Sequence, residues 1–109
     1  MARNESLRGT LNLLILRVLS LNEELSGFAI KQRIVRASEG VLVVGDGSLY
    51  PALDRMRRAG WVVCYVKRTY CRKARMWIVT KKGKTQFSAE ERLWVSFRST
   101  VNGLLKKKW

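Results

Sequence analysis

Apolar positions near the start of the chain recur with a helical period. Leu7, Leu11, Leu14, Ile15 and Val18 stand at i, i+4, i+7, i+8 and i+11, one face of an amphipathic helix. The stretch LNEELSG breaks that pattern. Ser26 then stands where it can cap a second helix, with Ala29, Ile30, Ile34 and Ala37 facing inward and Lys31, Arg33 and Arg36 outward. Gly40 ends this helix, and the following VLVV is long enough only for an extended linker or a small strand.

The segment GDGSLYPALDRMRRAGW, residues 45–61, concentrates two glycines and the only proline of the chain ahead of three arginines. A proline has no N–H for a carbonyl four residues back, so a helix containing it begins close by. This predicts Ser48 as N-cap, Leu49 to Pro51 as the first turn, and a bend at Gly45 and Gly47. At 100° per residue, Leu49, Leu53 and Met56 form the core stripe. Pro51, Asp54, Arg55 and Arg58 fall on the opposite side, with Ser48 and Tyr50 on the flanks.

Strict alternation follows in WVVCYVKR, with Val62, Cys64 and Val66 on one face and Trp61, Val63, Tyr65 and Lys67 on the other. RMWIVT, residues 75–80, is the natural return strand, and Lys67, Arg68, Arg72, Lys73 and Arg75 surround the loop between them. Thr80 can cap a last helix beginning at Lys81. Along that helix Phe87, Trp94, Phe97, Val101 and Leu104 are spaced by 7, 3, 4 and 3, a heptad seam interrupted at Glu90. No later element is left to cover such a seam. A partner chain would do so, although packing on the chain's own first helix would use part of the same stripe.

Charge gives these elements a direction. The 109 residues carry 22 Lys plus Arg and 8 Asp plus Glu, a net charge of +14, enough chain for one core and one domain. Residues 1–46 hold 6 basic and 5 acidic residues, whereas residues 47–85 hold 11 and 1. The predicted proline-initiated helix and hairpin therefore carry most of the excess, which points to a polyanionic partner.

Other chemistry recedes on composition. With no histidine and only scattered carboxylates, the chain offers no acid–base pair and is not read as an enzyme. Cys64 and Cys71, seven apart, are too few ligands for zinc, so neither metal nor cofactor is expected. They read as reduced thiols of a cytoplasmic protein. Cys71, beside Arg72 and Lys73, is a candidate redox trigger, and Cys64 a small core residue. The apolar run from Leu11 to Leu21 is broken by Asn12 and Arg17 and is far short of a membrane span of about 20 residues.

A short helix with a fixed start and outward arginines suits a DNA major groove, and a basic hairpin behind it suits flanking phosphate. An ordinary solvated surface would use the same residue types. The order and spacing of RGTLNLLILRVLS, SGFAIKQRI, GSLYPALDRMRRAGWV, RKARMWIVTKKGKTQF and WVSF resemble the PadR-like winged-helix transcriptional regulators, in their short-tailed branch, over roughly residues 7 to 105.

The resemblance implies an α+β, mostly helical fold: a winged helix-turn-helix with a C-terminal dimerisation helix. The DNA-binding domain would span residues 1–80, with its recognition helix at about 48–59 and its wing at about 61–80, and residues 81–109 would form the dimerisation helix packed on it. Function would be sequence-specific repression by a homodimer on a near-palindromic operator in double-stranded DNA. Ser48, Tyr50 and Pro51 would open the recognition helix, Arg55 and Arg58 follow on its outer side, and Arg72, Lys73 and Arg75 serve in the wing. Phe87, Trp94, Phe97, Val101 and Leu104 would form the dimer interface. Trp94 and Phe97 would also line any pocket for a small aromatic effector, against plain core packing as the alternative. Two other classes stay open: a nonspecific basic nucleic-acid-binding protein, and a winged-helix module for protein contacts.

Overall fold

The computed structural model describes residues 2–109, with side chains from Gly9 onward. Helix α1 (Ala2–Ser20) leads into a two-residue strand β1 (Leu25–Ser26), then α2 (Gly27–Ala37) and α3 (Asp46–Arg58). A hairpin of β2 (Val62–Thr69) and β3 (Arg72–Val79) follows, and α4 (Lys81–Leu105) closes the order. The sheet is antiparallel in the order β1-β3-β2, with Leu25 opposite Trp77 and Val62 opposite Val79. This is the predicted α+β winged-helix plan. No helix among the described residues is long and apolar enough to cross a membrane.

One core joins all of these elements. Ile15, Leu16 and Leu19 of α1 meet Ile30 and Ile34 of α2, Leu49, Ala52, Leu53 and Met56 of α3, and Leu25, Val62 and Trp77 of the sheet. The predicted stripes of α2 and α3 hold, except that Ala37 is exposed because the packing of α2 stops at Ile34. In α1 the fully buried side chains are Ile15, Leu16 and Leu19, while Leu11, Leu14 and Val18 lie only partly buried against them. The Leu7 side chain lies outside the described residues.

Two of the three predicted caps form, at Ser26 and Thr80. Ser26 Oγ accepts from Ala29 N at 3.1 Å, and Thr80 Oγ1 accepts from Gly83 N at 3.0 Å. The start of α3 differs from the prediction. Gly45, in extended conformation, is the N-cap, and the helix begins at Asp46, so Ser48 lies within the first turn. Asp46 suits that position, since a carboxylate favours a helix N-terminus, and it pairs with Lys31 of α2. Pro51 consequently sits inside the helix, where the carbonyl it leaves without a donor belongs to the exposed Gly47.

A compact corner ties α3, the hairpin and α4 together. Gly60, at φ +81°, ends α3 in a Schellman turn, with Trp61 N donating to Met56 O at 2.9 Å and Gly60 N to Arg57 O at 3.0 Å. Thr80 N then donates to Trp61 O at 2.9 Å, and its hydroxyl reaches Gly60 O at 2.7 Å and Trp61 O at 3.0 Å. Gly83 is buried against the same carbonyl, where a Cβ would stand 2.1 Å from Trp61 O. The glycine is thus fixed by a close backbone approach.

Beyond that corner two elements leave the core. The hairpin runs on to a two-residue turn at Tyr70 and Cys71, tighter than the basic loop predicted, so Lys67, Arg68, Arg72, Lys73 and Arg75 all belong to its strands. Val66, predicted to face inward, is 56% exposed because the helices no longer lie beneath it. Helix α4 packs through Phe87 on the core, but every residue from Glu91 to Thr100 is exposed. The molecule is correspondingly long, 62 × 29 × 25 Å.

Candidate nucleic-acid interface

The register of the hairpin sorts its basic residues by face. In an antiparallel ladder, directly paired residues share a side. Cys64 with Trp77, Val66 with Arg75, and Arg68 with Lys73 therefore face the side on which the helices pack. Lys67 with Ala74 and Thr69 with Arg72 face the other. Of the wing residues predicted from sequence, Lys73 and Arg75 share the helix side and Arg72 does not. Arg68, absent from the predicted site, joins them. Finding it needs the register, which composition does not carry.

On α3, Ser48, Pro51, Arg55 and Arg58 are exposed, and Tyr50 is 43% exposed. Asp54 divides the arginines. Its carboxylate accepts from Arg57 at 2.6 Å and pairs with Arg58 at 2.7 Å. The hydrogen bond from Arg57 chiefly, with the charges of Arg58, Arg57 and Arg75, holds Asp54 below the usual carboxylate range. Arg75 of β3 thus lies near enough to α3 for its charge to act on Asp54. Among the described residues no carboxylate pairs with Arg55.

A second carboxylate works on the opposite side of the sheet. Glu24, just before β1, accepts from the Tyr65 hydroxyl and, at 2.9 Å, from Lys67 Nζ. The Tyr65 hydrogen bond first, then that of Lys67, lowers the Glu24 carboxyl, while the same contacts raise Tyr65 and Lys67. Lys67 is therefore bound internally, whereas Arg68 and Lys73 face each other directly across the ladder. Like charges so placed destabilise a sheet until an anion lies between or beside them.

The remaining predicted residues fall elsewhere. Phe87 packs on its own core, with the Arg17 guanidinium 6.0 Å from its ring centroid. Trp94, Phe97 and Leu104 stand exposed along α4, Val101 partly so, and the Arg98 guanidinium lies 5.2 Å from the Trp94 ring. An apolar groove of about 460 Å³ opens at a different place, between α1 and α2, walled by Leu14, Val18, Ile34 and Leu42. Trp94 and Phe97 do not line it. Cys64 is half-buried on the helix side of the sheet, and Cys71 is exposed at the wing tip.

Comparison with known proteins agrees with this architecture. The sequence model of the transcriptional regulator PadR-like family matches residues 15–89, well over half of the chain. A PadR-like transcriptional regulator from Bacillus cereus is 28% identical, with a TM-score of 0.75 over 95% of this chain and 99% of its own. A transcriptional regulator from Clostridium thermocellum superposes with a TM-score of 0.86 at 20% identity, covering 94% of this chain and 99% of its own. For a PadR family transcriptional regulator from Eggerthella lenta the TM-score is 0.80 at 23% identity, covering 98% and 92%. No curated protein matches the sequence. The match spans the core, the corner at Gly60 and Gly83, and the basic helix and hairpin built on it, and the chain belongs to the PadR-like family of transcriptional regulators.

Proposed function

We propose that this protein is a homodimeric repressor that reads a two-fold-symmetric DNA site, with α3 in the major groove and the wing along the flanking backbone. The observation that supports the reading is that Arg55 and Arg58 of α3 are exposed, that Arg68, Lys73 and Arg75 are exposed on the helix side of the wing, and that the charge of Arg75 reaches Asp54 of α3. Guanidinium groups on α3 can read guanine edges, and the wing cations can hold phosphate. Arg72, on the other side of the ladder, would touch DNA only where the duplex wraps the wing.

Residues 1–80 would form the DNA-binding domain and α4 the dimerisation element. The exposed side chains of Trp94, Phe97 and Leu104, with Val101 partly exposed among them, support this, since an apolar row of that length otherwise meets water. Phe97→Asp should then convert dimer to monomer in light scattering. Such a dimer would place its two α3 helices about one duplex turn, roughly 34 Å, apart. A flat aromatic effector would enter between the paired α4 helices at Trp94 and Phe97. A regulator of this kind works in the cytoplasm and needs no catalytic group or metal.

The test is selection of random duplex DNA on the purified protein at about physiological salt. A recovered motif of two symmetric half-sites about one turn apart supports the reading. Tight, salt-labile binding with no recovered motif replaces it with a nonspecific nucleic-acid binder.

A further inference from the structure

Gly27 opens α2 directly after the Ser26 cap and is buried although it has no side chain. The atoms nearest to where its side chain would begin belong to Tyr50. A Cβ at position 27 would stand 2.6 Å from the tyrosine Oη, 2.8 Å from Cε1 and 2.9 Å from Cζ. The far end of the ring therefore occupies the place that any other residue would fill with its own side chain. Gly27 has no positive φ to explain it, so the space it leaves is its contribution.

That seat fixes one side of a side chain whose other side faces solvent. Tyr50 is 43% exposed, on the flank of α3 next to Pro51. Among the described residues none hydrogen-bonds its hydroxyl. A partly exposed tyrosine whose ring end is seated is prepared for an outside partner, because ordering the side chain has already been done by the fold.

Resting on the DNA-binding reading above, we infer that Gly27 is a positioning residue for sequence recognition: it seats the end of the Tyr50 ring so that the exposed part of the side chain meets the DNA in one orientation. Any larger residue at position 27 turns the ring out of its seat. The atoms met are the end of a flexible side chain rather than backbone, so the fold yields by rotating Tyr50 and keeps its core. The effect then appears in DNA recognition and only through Tyr50.

A double-mutant cycle tests this on the selected operator and on a scrambled duplex, using Gly27→Ala, Tyr50→Ala and the double variant in the intact protein, with thermal melting as a check on folding. Gly27→Ala alone should weaken operator binding about tenfold, a free energy typical of one lost base contact, and leave scrambled binding almost unchanged. In the Tyr50→Ala background, where the space is empty, Gly27→Ala should change operator affinity by less than about twofold. The double variant has room for the added methyl and folds even if the single one melts early. Equal losses with and without Tyr50, or no loss in Gly27→Ala, overturn the inference while the DNA reading stands. A wild-type protein that prefers no duplex overturns the DNA reading itself, and the inference with it.

Discussion

The corner and the wing are built from the same hairpin and obey different rules. At the corner, Gly60, Trp61, Thr80 and Gly83 are held by short backbone contacts and carry no charge. Seven residues further out along each strand, Arg68 and Lys73 face each other, and among the described residues no carboxylate pairs with either. The corner spends its residues on geometry and the wing on an unneutralised field. Damage to the first should appear as lost stability, and damage to the second as lost affinity.

The largest effect is expected at Gly83. A methyl there meets a backbone carbonyl that cannot rotate away, because Trp61 O also accepts from Thr80 N. Gly83→Ala should cost about 4 kcal/mol or more, among the rare large values for a single methyl, and leave little folded protein in a thermal melt. Thr80→Ala keeps the backbone bond but removes the cap and the hydroxyl contact to Gly60 and Trp61, for about 2 kcal/mol. If either variant melted like wild type, the corner would not be the joint that holds α3, the hairpin and α4 together.

How far the sequence carried this contrast depends on range. Caps and stripes are local, so Ser26, Thr80 and the row Leu49, Leu53, Met56 were readable from spacing alone. Strand β1 has only two residues and no period, and it exists because Leu25 reaches Trp77. In α1 the run LNLLIL is apolar nearly all round, so periodicity could not select Leu16 and Leu19 as core. The start of α3 lies at Asp46, whose partner Lys31 is fifteen residues away. Likewise the membership of Arg68 and the separation of Arg72 rest on register, and the capture of Arg57 and Arg58 on where Asp54 points. AGW and VTKKG stand within the segments that carry the family resemblance, but the reason for the corner they form, one carbonyl shared by two strands and a helix, appears only in three dimensions.

On the wing the expected signature is inverted. Lys73→Ala relieves repulsion with Arg68, so melting should be unchanged or slightly higher, within about 0.5 kcal/mol. Operator binding should lose salt dependence, with the slope of log affinity against log salt falling by about 1.8 per dimer at about 0.9 per phosphate contact. An unchanged slope would show that Lys73 touches no phosphate.

The smallest effect, and the sharpest test of the facing argument, concerns Lys67. It lies one residue from Arg68 in the same strand, yet its ammonium is held by Glu24 on the other side of the sheet. Lys67→Ala should therefore leave the salt slope of DNA binding as it is in wild type. Its role is instead readable through pH. Glu24 titrates below its usual 4.5 in the folded chain, so its contribution to stability is complete above that value and is lost as pH falls through the lower folded one. Glu24→Gln should then melt slightly below wild type at neutral pH, with the gap closing in acid. A salt slope that dropped in Lys67→Ala as it does in Lys73→Ala would show that charge near the wing tip acts without regard to face, and the division drawn from the register would fail.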